Sequence, residues 1–166
     1  LGAPLADDEA IVVMLRIEDD LAVISLDSSG ESLHKRGHKE AVAKAPMLET
    51  MAAGFLHECG YRGAEPVFDP MCGSGTFVIE AAEIASGLYP GRSRHFAFED
   101  FASFKLDIWA RMKADMPVHV PEFRFAGADR DSGAVRMSTA NAVRAGVADW
   151  CDFVQGAIAD AVPPEG

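Results

Sequence analysis

The stretch that most constrains this chain is Pro66-Val67-Phe68-Asp69, then Pro70-Met71-Cys72-Gly73-Ser74-Gly75, then Thr76-Phe77-Val78-Ile79-Glu80-Ala81-Ala82-Glu83-Ile84-Ala85. A short apolar run, a glycine turn and a long apolar run without Gly or Pro read as strand, turn and helix. This arrangement builds a backbone anion site. Glycines let a ligand approach the main chain, and the first helical N–H groups point at it with the helix dipole behind them.

Dinucleotides and S-adenosyl-L-methionine both use such a loop, and the residues separate them in part. The spacing is not G-x-G-x-x-G, because Val78 stands three residues after Gly75. A P-loop would need Gly-Lys-Ser/Thr at its end. Asp69 closes the strand and faces the ligand. It suits the ammonium and sulfonium of S-adenosyl-L-methionine and would repel a pyrophosphate.

Around this unit, strand and helix patterns alternate. Residues 122–129 form a strand ending in Asp129, residues 132–145 a helix stopped by Gly146, and residues 151–156 a further strand. Alternation of this kind predicts an α/β fold with a parallel sheet, a Rossmann-like architecture. A carboxylate at the end of the second strand can accept both ribose hydroxyls of an adenosine, and Asp129 is the candidate. It lies much farther from the glycine loop than the usual ~20 residues. Glu99, after Phe96-Ala97-Phe98, is a rival at a more ordinary distance. Asp129 is preferred because its strand runs directly into a capped helix, which makes residues 86–121 an insertion.

The insertion contains a loop at 87–94 and a predicted helix at 101–116, with Phe104, Ile108, Trp109 and Met112 on one face. Upstream, residues 11–17 and 21–27 read as two strands joined at Glu18-Asp19-Asp20. A helix is expected at 46–59, opened by Pro46 and stopped by Gly60. Residues 1–30 are thus expected to form a hairpin leading into a domain at 31–166.

Composition narrows the function. The 166 residues carry a net charge of −11, which opposes tight nucleic-acid binding by this span. Two basic clusters, His34-Lys35-Arg36-Gly37-His38-Lys39 and Arg92-Ser93-Arg94-His95, are either solvated loops or phosphate contacts. Three cysteines without a C-x-x-C pair argue against a disulfide framework or zinc site. His34 and His38 lack a nearby thiol or carboxylate, so no metal is expected. No apolar run reaches membrane-spanning length and the start has no basic signal-like region, so a cytoplasmic protein is expected.

Read together, Leu33-His34-Lys35-Arg36-Gly37, Ala45-Pro46-Met47-Leu48-Glu49-Thr50-Met51-Ala52-Ala53, the Asp69 to Ala82 stretch, and Gly127-Ala128-Asp129-Arg130-Asp131 closely resemble the THUMP-associated RNA methyltransferases. This family is often labelled RNA or adenine-specific DNA methylase. The nearest likeness is to bacterial enzymes that methylate an exocyclic guanine amine in large-subunit ribosomal RNA. The resemblance implies S-adenosyl-L-methionine as cofactor. Asp69, Pro70, Cys72, Gly73, Ser74, Gly75 and Thr76 would hold its methionine end. Asp129 would bind the ribose, Arg130 would flank the adenine, and Ala157 and Ile158 would line it. Glu49 and Thr50 match the family's preceding helix, near the cofactor carboxylate.

Two departures stand out. Ala157 falls where relatives place an acid for the adenine amino group, with Asp160 three residues on. The Asn/Asp-Pro-Pro-Tyr/Phe segment that positions a target amine is also missing. Val162-Pro163-Pro164-Glu165 imitates it, but valine accepts no hydrogen bond and glutamate does not stack. The chain is therefore expected to be a fragment, inactive alone, with no catalytic residue assigned in it and its RNA contacts carried by absent parts. An adenine-specific DNA methylase and a cofactor-binding module without its own activity are the alternatives. A dehydrogenase is disfavoured by the glycine spacing.

Overall fold

The three apolar runs that end near Asp69, Asp129 and Gln155 pair side by side. In the computed structural model, which describes residues 11–38 and 47–163, β1 (Val13–Glu18) and β2 (Leu21–Leu26) make an antiparallel hairpin. Strands β3 (Val67–Asp69), β4 (Phe125–Asp129) and β5 (Cys151–Gln155) make a parallel sheet in the order β3-β4-β5. The helices are α1 (Glu49–Glu58), α2 (Thr76–Ala85), α3 (Leu106–Ala114) and α4 (Ser132–Ala145). Parallel pairing requires crossover connections, and α2 and α4 provide them. The register aligns Asp69 with Gly127 and Gly127 with Phe153, so the carboxyl ends of all three strands meet at one rim.

The core lies between α2, α4 and the sheet. Phe125, in the central strand, is fully buried, as are Val78, Ala81, Ala82 and Val147. Helix α4 begins at Asp131, whose side chain accepts the Gly133 N–H, and ends at Gly146 with φ +73°. These are the cap chemistries that the bounding residues supply.

Helix α2 is buried nearly all round, which accounts for Glu80 and Glu83 being only 2% and 3% exposed. The strand side is covered by the sheet, and Phe77 stacks on Phe55 of α1. Arginines from two covering segments take the rest. Arg36 bonds both carboxylate oxygens of Glu80, at 3.2 and 3.1 Å, and Arg92 reaches Glu83 at 2.5 Å. Burial is tolerable for a carboxylate that is paired in this way.

Residues 29–38 form a strap over the domain. Arg94, from the insertion, donates to the carbonyls of Ser29, Glu31, Ser32 and Lys35. The insertion itself leaves and rejoins at one point, where the His119 N–H meets the Ser86 carbonyl at 3.1 Å.

Several expectations shift. The insertion helix is shorter than 101–116 and starts at Leu106, because Phe104 turns back onto Phe98, whose ring also meets the edge of Trp109, instead of continuing a helix. The apolar alternation ending in Glu99 is a 3-10 turn, Ala97–Asp100, with Glu99 bonded to the Phe96 N–H. It is no strand, and the rival ribose acid falls away. The predicted hairpin holds with a two-residue turn, Asp19 and Asp20 at φ +47° and +62°. That left-handed pair gives the twist a tight hairpin requires. The expected start of α1 at Pro46 lies outside the described residues, as do residues 1–10.

Candidate functional site

The glycine turn is fastened to the end of β4. The Cys72 N–H donates to the Ala128 carbonyl at 2.9 Å, and the Gly73 N–H donates to one oxygen of Asp129 at 3.0 Å. The other Asp129 oxygen accepts the Asp131 N–H at 2.9 Å. The two acids that the sequence separates by 60 positions therefore share one rim. A carboxylate offers about four lone-pair sites, so Asp129 keeps roughly two for a ligand's hydroxyls.

Asp69 accepts the Met71 N–H at 3.0 Å. Burial raises its carboxyl above the ordinary range, and the neighbouring Asp129 charge raises it further, against the lowering by the Met71 amide. Two adjacent carboxylates of this kind favour a ligand that brings positive charge.

Glycines are required here for space. Gly75 sits at φ +82°, and a Cβ there would lie 2.8 Å from Ser138 and 3.1 Å from the Phe153 ring. A Cβ on Gly127 would lie 2.8 Å from Phe153 and 2.9 Å from Cys72. Phe153 thus wedges under the turn and sets its height. Helix α2 starts directly after Gly75, which supplies no side-chain cap, and its first turn contains no acid.

Beside the turn is a cleft of about 460 Å³, lined by Pro70, Met71, Asp129, Arg130, Gly156, Ala157 and Ile158. That volume lies within the range of small-ligand sites. Met71 and Ile158 are its exposed apolar walls, 70% and 59% accessible. The Gln155 side chain donates to the Arg130 carbonyl at 3.1 Å and fixes the turn after β4.

The expected residues divide into four groups. Pro70, Asp129, Arg130, Ala157 and Ile158 line the cleft together. Asp69 and Gly73 adjoin it. Cys72, Ser74, Gly75 and Thr76 are buried, so they contribute backbone shape more than side chains. The Cys72 thiol, raised to about 12 by burial and then by Asp69 and Asp129, faces inward with Ser138 and Gly127. Glu49 and Thr50 do not reach the cleft lining. Glu49 is buried where its charge raises Glu80 and Glu83, and Thr50 is exposed. Asp160, the possible substitute at the Ala157 departure, is exposed on a 3-10 turn and not part of the lining. Met71, Gly156 and Phe153 were missed. Only their positions next to the turn and at the end of β5 could have indicated them.

Five described residues of the basic clusters are paired within the chain, and Lys39 lies outside the described residues. Arg36 and Arg92 pair with α2, Arg94 holds the strap, Lys35 meets Glu31 at 2.6 Å and His95 meets Asp100 at 2.9 Å. Among the described residues, no group of His, Cys, Asp and Glu is arranged to hold a metal, and no helix is long and apolar enough to cross a membrane.

Comparison with known proteins agrees with this geometry. A family model described as the RMKL-like methyltransferase domain matches residues 36–164. The chain is 37% identical over 156 residues to a ribosomal RNA large subunit methyltransferase K/L of Vibrio parahaemolyticus, covering 90% of the chain and 22% of that relative. The corresponding protein of Vibrio campbellii is 36% identical, with 94% and 23% covered. The chain thus spans under a quarter of the length of these curated relatives.

Among solved structures, a possible methylase from Clostridium difficile 630 matches with a TM-score of 0.85 and 33% identity, over 99% of this chain and 44% of that one. SMU.472, assigned as a methyltransferase and solved with SAH, matches at 0.83 and 29%, with the same coverage. The sheet order, the glycine turn fastened to Asp129 and these matches lead to one assignment: the chain belongs to the RMKL-like methyltransferase-domain family.

Proposed function

We propose that this chain forms the S-adenosyl-L-methionine site of a methyltransferase that acts on large-subunit ribosomal RNA. The observation that carries the reading is the direct bond between the Gly73 amide and Asp129, which joins turn and acid into one cradle. When bound, the cofactor supplies an electrophilic methyl group on a sulfonium.

The chain's own residues divide the work of holding it. Asp129 accepts the ribose hydroxyls with the lone pairs its backbone bonds leave over. Asp69 complements the ammonium. The amides opening α2 take the carboxylate. Met71 and Ile158 sandwich the adenine, Arg130 flanks it, and the backbone at Ala157 and Ile158 lines its edge in place of an acidic side chain. Glu49 and Thr50, on the preceding helix α1, stand near the cofactor carboxylate, and the Glu49 charge is also felt by α2. The site residues are thus proposed for positioning, which is most of what in-line methyl transfer to an amine requires.

The RNA substrate is suggested by the names of the curated relatives, and an exocyclic guanine amine by the motifs that resemble the family's guanine methyltransferases. RNA contact is assigned outside this span, because the sequence is acidic and five described residues of its basic clusters are paired within the chain. A cytoplasmic location fits a ribosomal RNA substrate. The second reading is an adenine-specific DNA methylase. It is favoured by a structure named as a predicted N6-adenine-specific DNA methylase from Listeria monocytogenes, matched at a TM-score of 0.78 and 33% identity over 92% of this chain and 41% of that one.

Isothermal titration of the chain with SAH, S-adenosyl-L-methionine and NAD tests the cofactor assignment. Heat from the first two, lost in Asp129→Ala, is expected. Binding of NAD with no response to the others would refute it.

A further inference from the structure

Glycines on both sides of Ser74 leave the backbone around it few steric constraints, and the Ser74–Gly75 peptide lies at the centre of the cofactor turn. Gly73 has φ +53° and Gly75 has φ +82°. The Ser74–Gly75 peptide between them decides where the turn's N–H groups point. Because a trans peptide directs its C=O and N–H to opposite sides, holding both ends fixes the plane. The Gly75 N–H donates to the Cys72 carbonyl at 2.7 Å. The Ser74 carbonyl accepts from Asn141 Nδ2 of α4 at 3.0 Å, and Asn141 is 1% exposed.

An asparagine amide could present either end to that carbonyl, and only the NH₂ end is attractive. Arg144 selects it. Guanidinium is a donor only, and Arg144 Nη2 donates to Asn141 Oδ1. That turns Nδ2 toward Ser74. The Arg144 Nε donates in turn to the His38 carbonyl at 2.8 Å, at the end of the strap.

We propose that Asn141 and Arg144 are positioning residues for the cofactor turn, linking its central peptide to the strap at His38. Neither residue touches the cleft. The consequence for cofactor affinity rests on the function proposed above, whereas the effect on the turn does not.

The test is residue-resolved amide hydrogen exchange in the full chain, with SAH titration alongside. In Asn141→Asp an oxygen faces the Ser74 carbonyl, and exchange at Gly75 should rise about tenfold. Amides of Phe125 and Ala128 in β4 report global stability and should change far less. SAH affinity should fall about tenfold in parallel.

Arg144→Ala should act in the same direction with a smaller effect, and Arg144→Lys should recover part of it. Asn141→Ala removes the bond to Ser74 without creating a charge, and adding Arg144→Ala to it should not raise Gly75 exchange further, since Arg144 reaches the turn only through Asn141. If Asn141→Asp does not fold, the Arg144 pair, on a partly exposed residue, carries the same comparison. Unchanged Gly75 exchange relative to β4, or additive effects, would overturn the proposal. Faster Gly75 exchange in a chain that never binds SAH would uphold the positioning role and refute the cofactor reading instead.

Discussion

The parallel sheet and the β1–β2 hairpin are both built from apolar strands, yet burial is concentrated at the sheet's central strand; Val154 in the edge strand β5 stays 57% exposed. Phe125 and Ala128 of β4 are 0% and 1% exposed. Val13, Leu15, Ile17, Ile24 and Leu26, which share one face of the hairpin, are 58–69% exposed. The difference is topological. Crossover helices must return across a parallel sheet and so cover it, whereas a hairpin closes through its own two-residue turn and brings no cover. Apolar pattern therefore identifies a strand, and connectivity decides whether the strand stabilises the domain.

The largest effect that would sharpen this contrast comes from truncating matched side chains. Phe125→Ala should cost about 3–5 kcal/mol in urea unfolding, from lost burial plus the cavity left behind. Leu15→Ala should stay within about 0.5 kcal/mol, as for other exposed sites. Similar losses for the two would break the contrast.

A second test uses the helix between sheet and strap. Burial, then Glu83, push the Glu80 carboxyl up to about 7 against the pull of Arg36, with Glu49 adding to the rise. A raised carboxyl binds its proton more tightly in the folded state than in the unfolded one. Its contribution is present in full below the ordinary value of 4.5 and is lost as pH climbs through about 7. Thermal melts should show stability falling across that window, and Glu80→Gln should flatten the fall. No matching dependence is expected from the hairpin.

The smallest effect lies in the hairpin turn. Asp20→Gly relieves a left-handed non-glycine residue, worth about 1 kcal/mol. Slower amide exchange within β1 and β2 should report it, with the melting temperature of the core unchanged.

The parts of the fold legible in the sequence are those written in local chemistry. Helix α4 runs from Ser132 to Ala145, as its Asp131 and Gly146 caps indicate, and α2 begins where Gly75 ends the turn. The insertion was harder to read. Phe98, Phe101 and Phe104 have a helix-compatible spacing, but packing of the Phe98 ring against Phe104 and Trp109 overrides it in the first half. The basic clusters misled for a related reason: nothing local shows that Arg36 will find Glu80, 44 positions away.

In the site, Asp69, the glycines and Asp129 were visible because strand ends and turns carry signatures. Asn141 and Phe153 were not, because their roles depend on which backbone they meet after folding. Glu49 is expected near the cofactor carboxylate, and that its charge also raises Glu80 and Glu83 of α2 is a relation only packing could reveal.

The central claim is that the Gly73 turn and Asp129 form one cradle for a sulfonium nucleoside. The most direct measurement is a map of amide chemical-shift changes in the ¹⁵N-labelled chain as SAH is added. Shifts concentrated at residues 69–76, 129–131 and 156–158, with β1 and β2 unmoved, are predicted. Saturable shifts clustered elsewhere, or none at Gly73 and Asp129, would contradict the account.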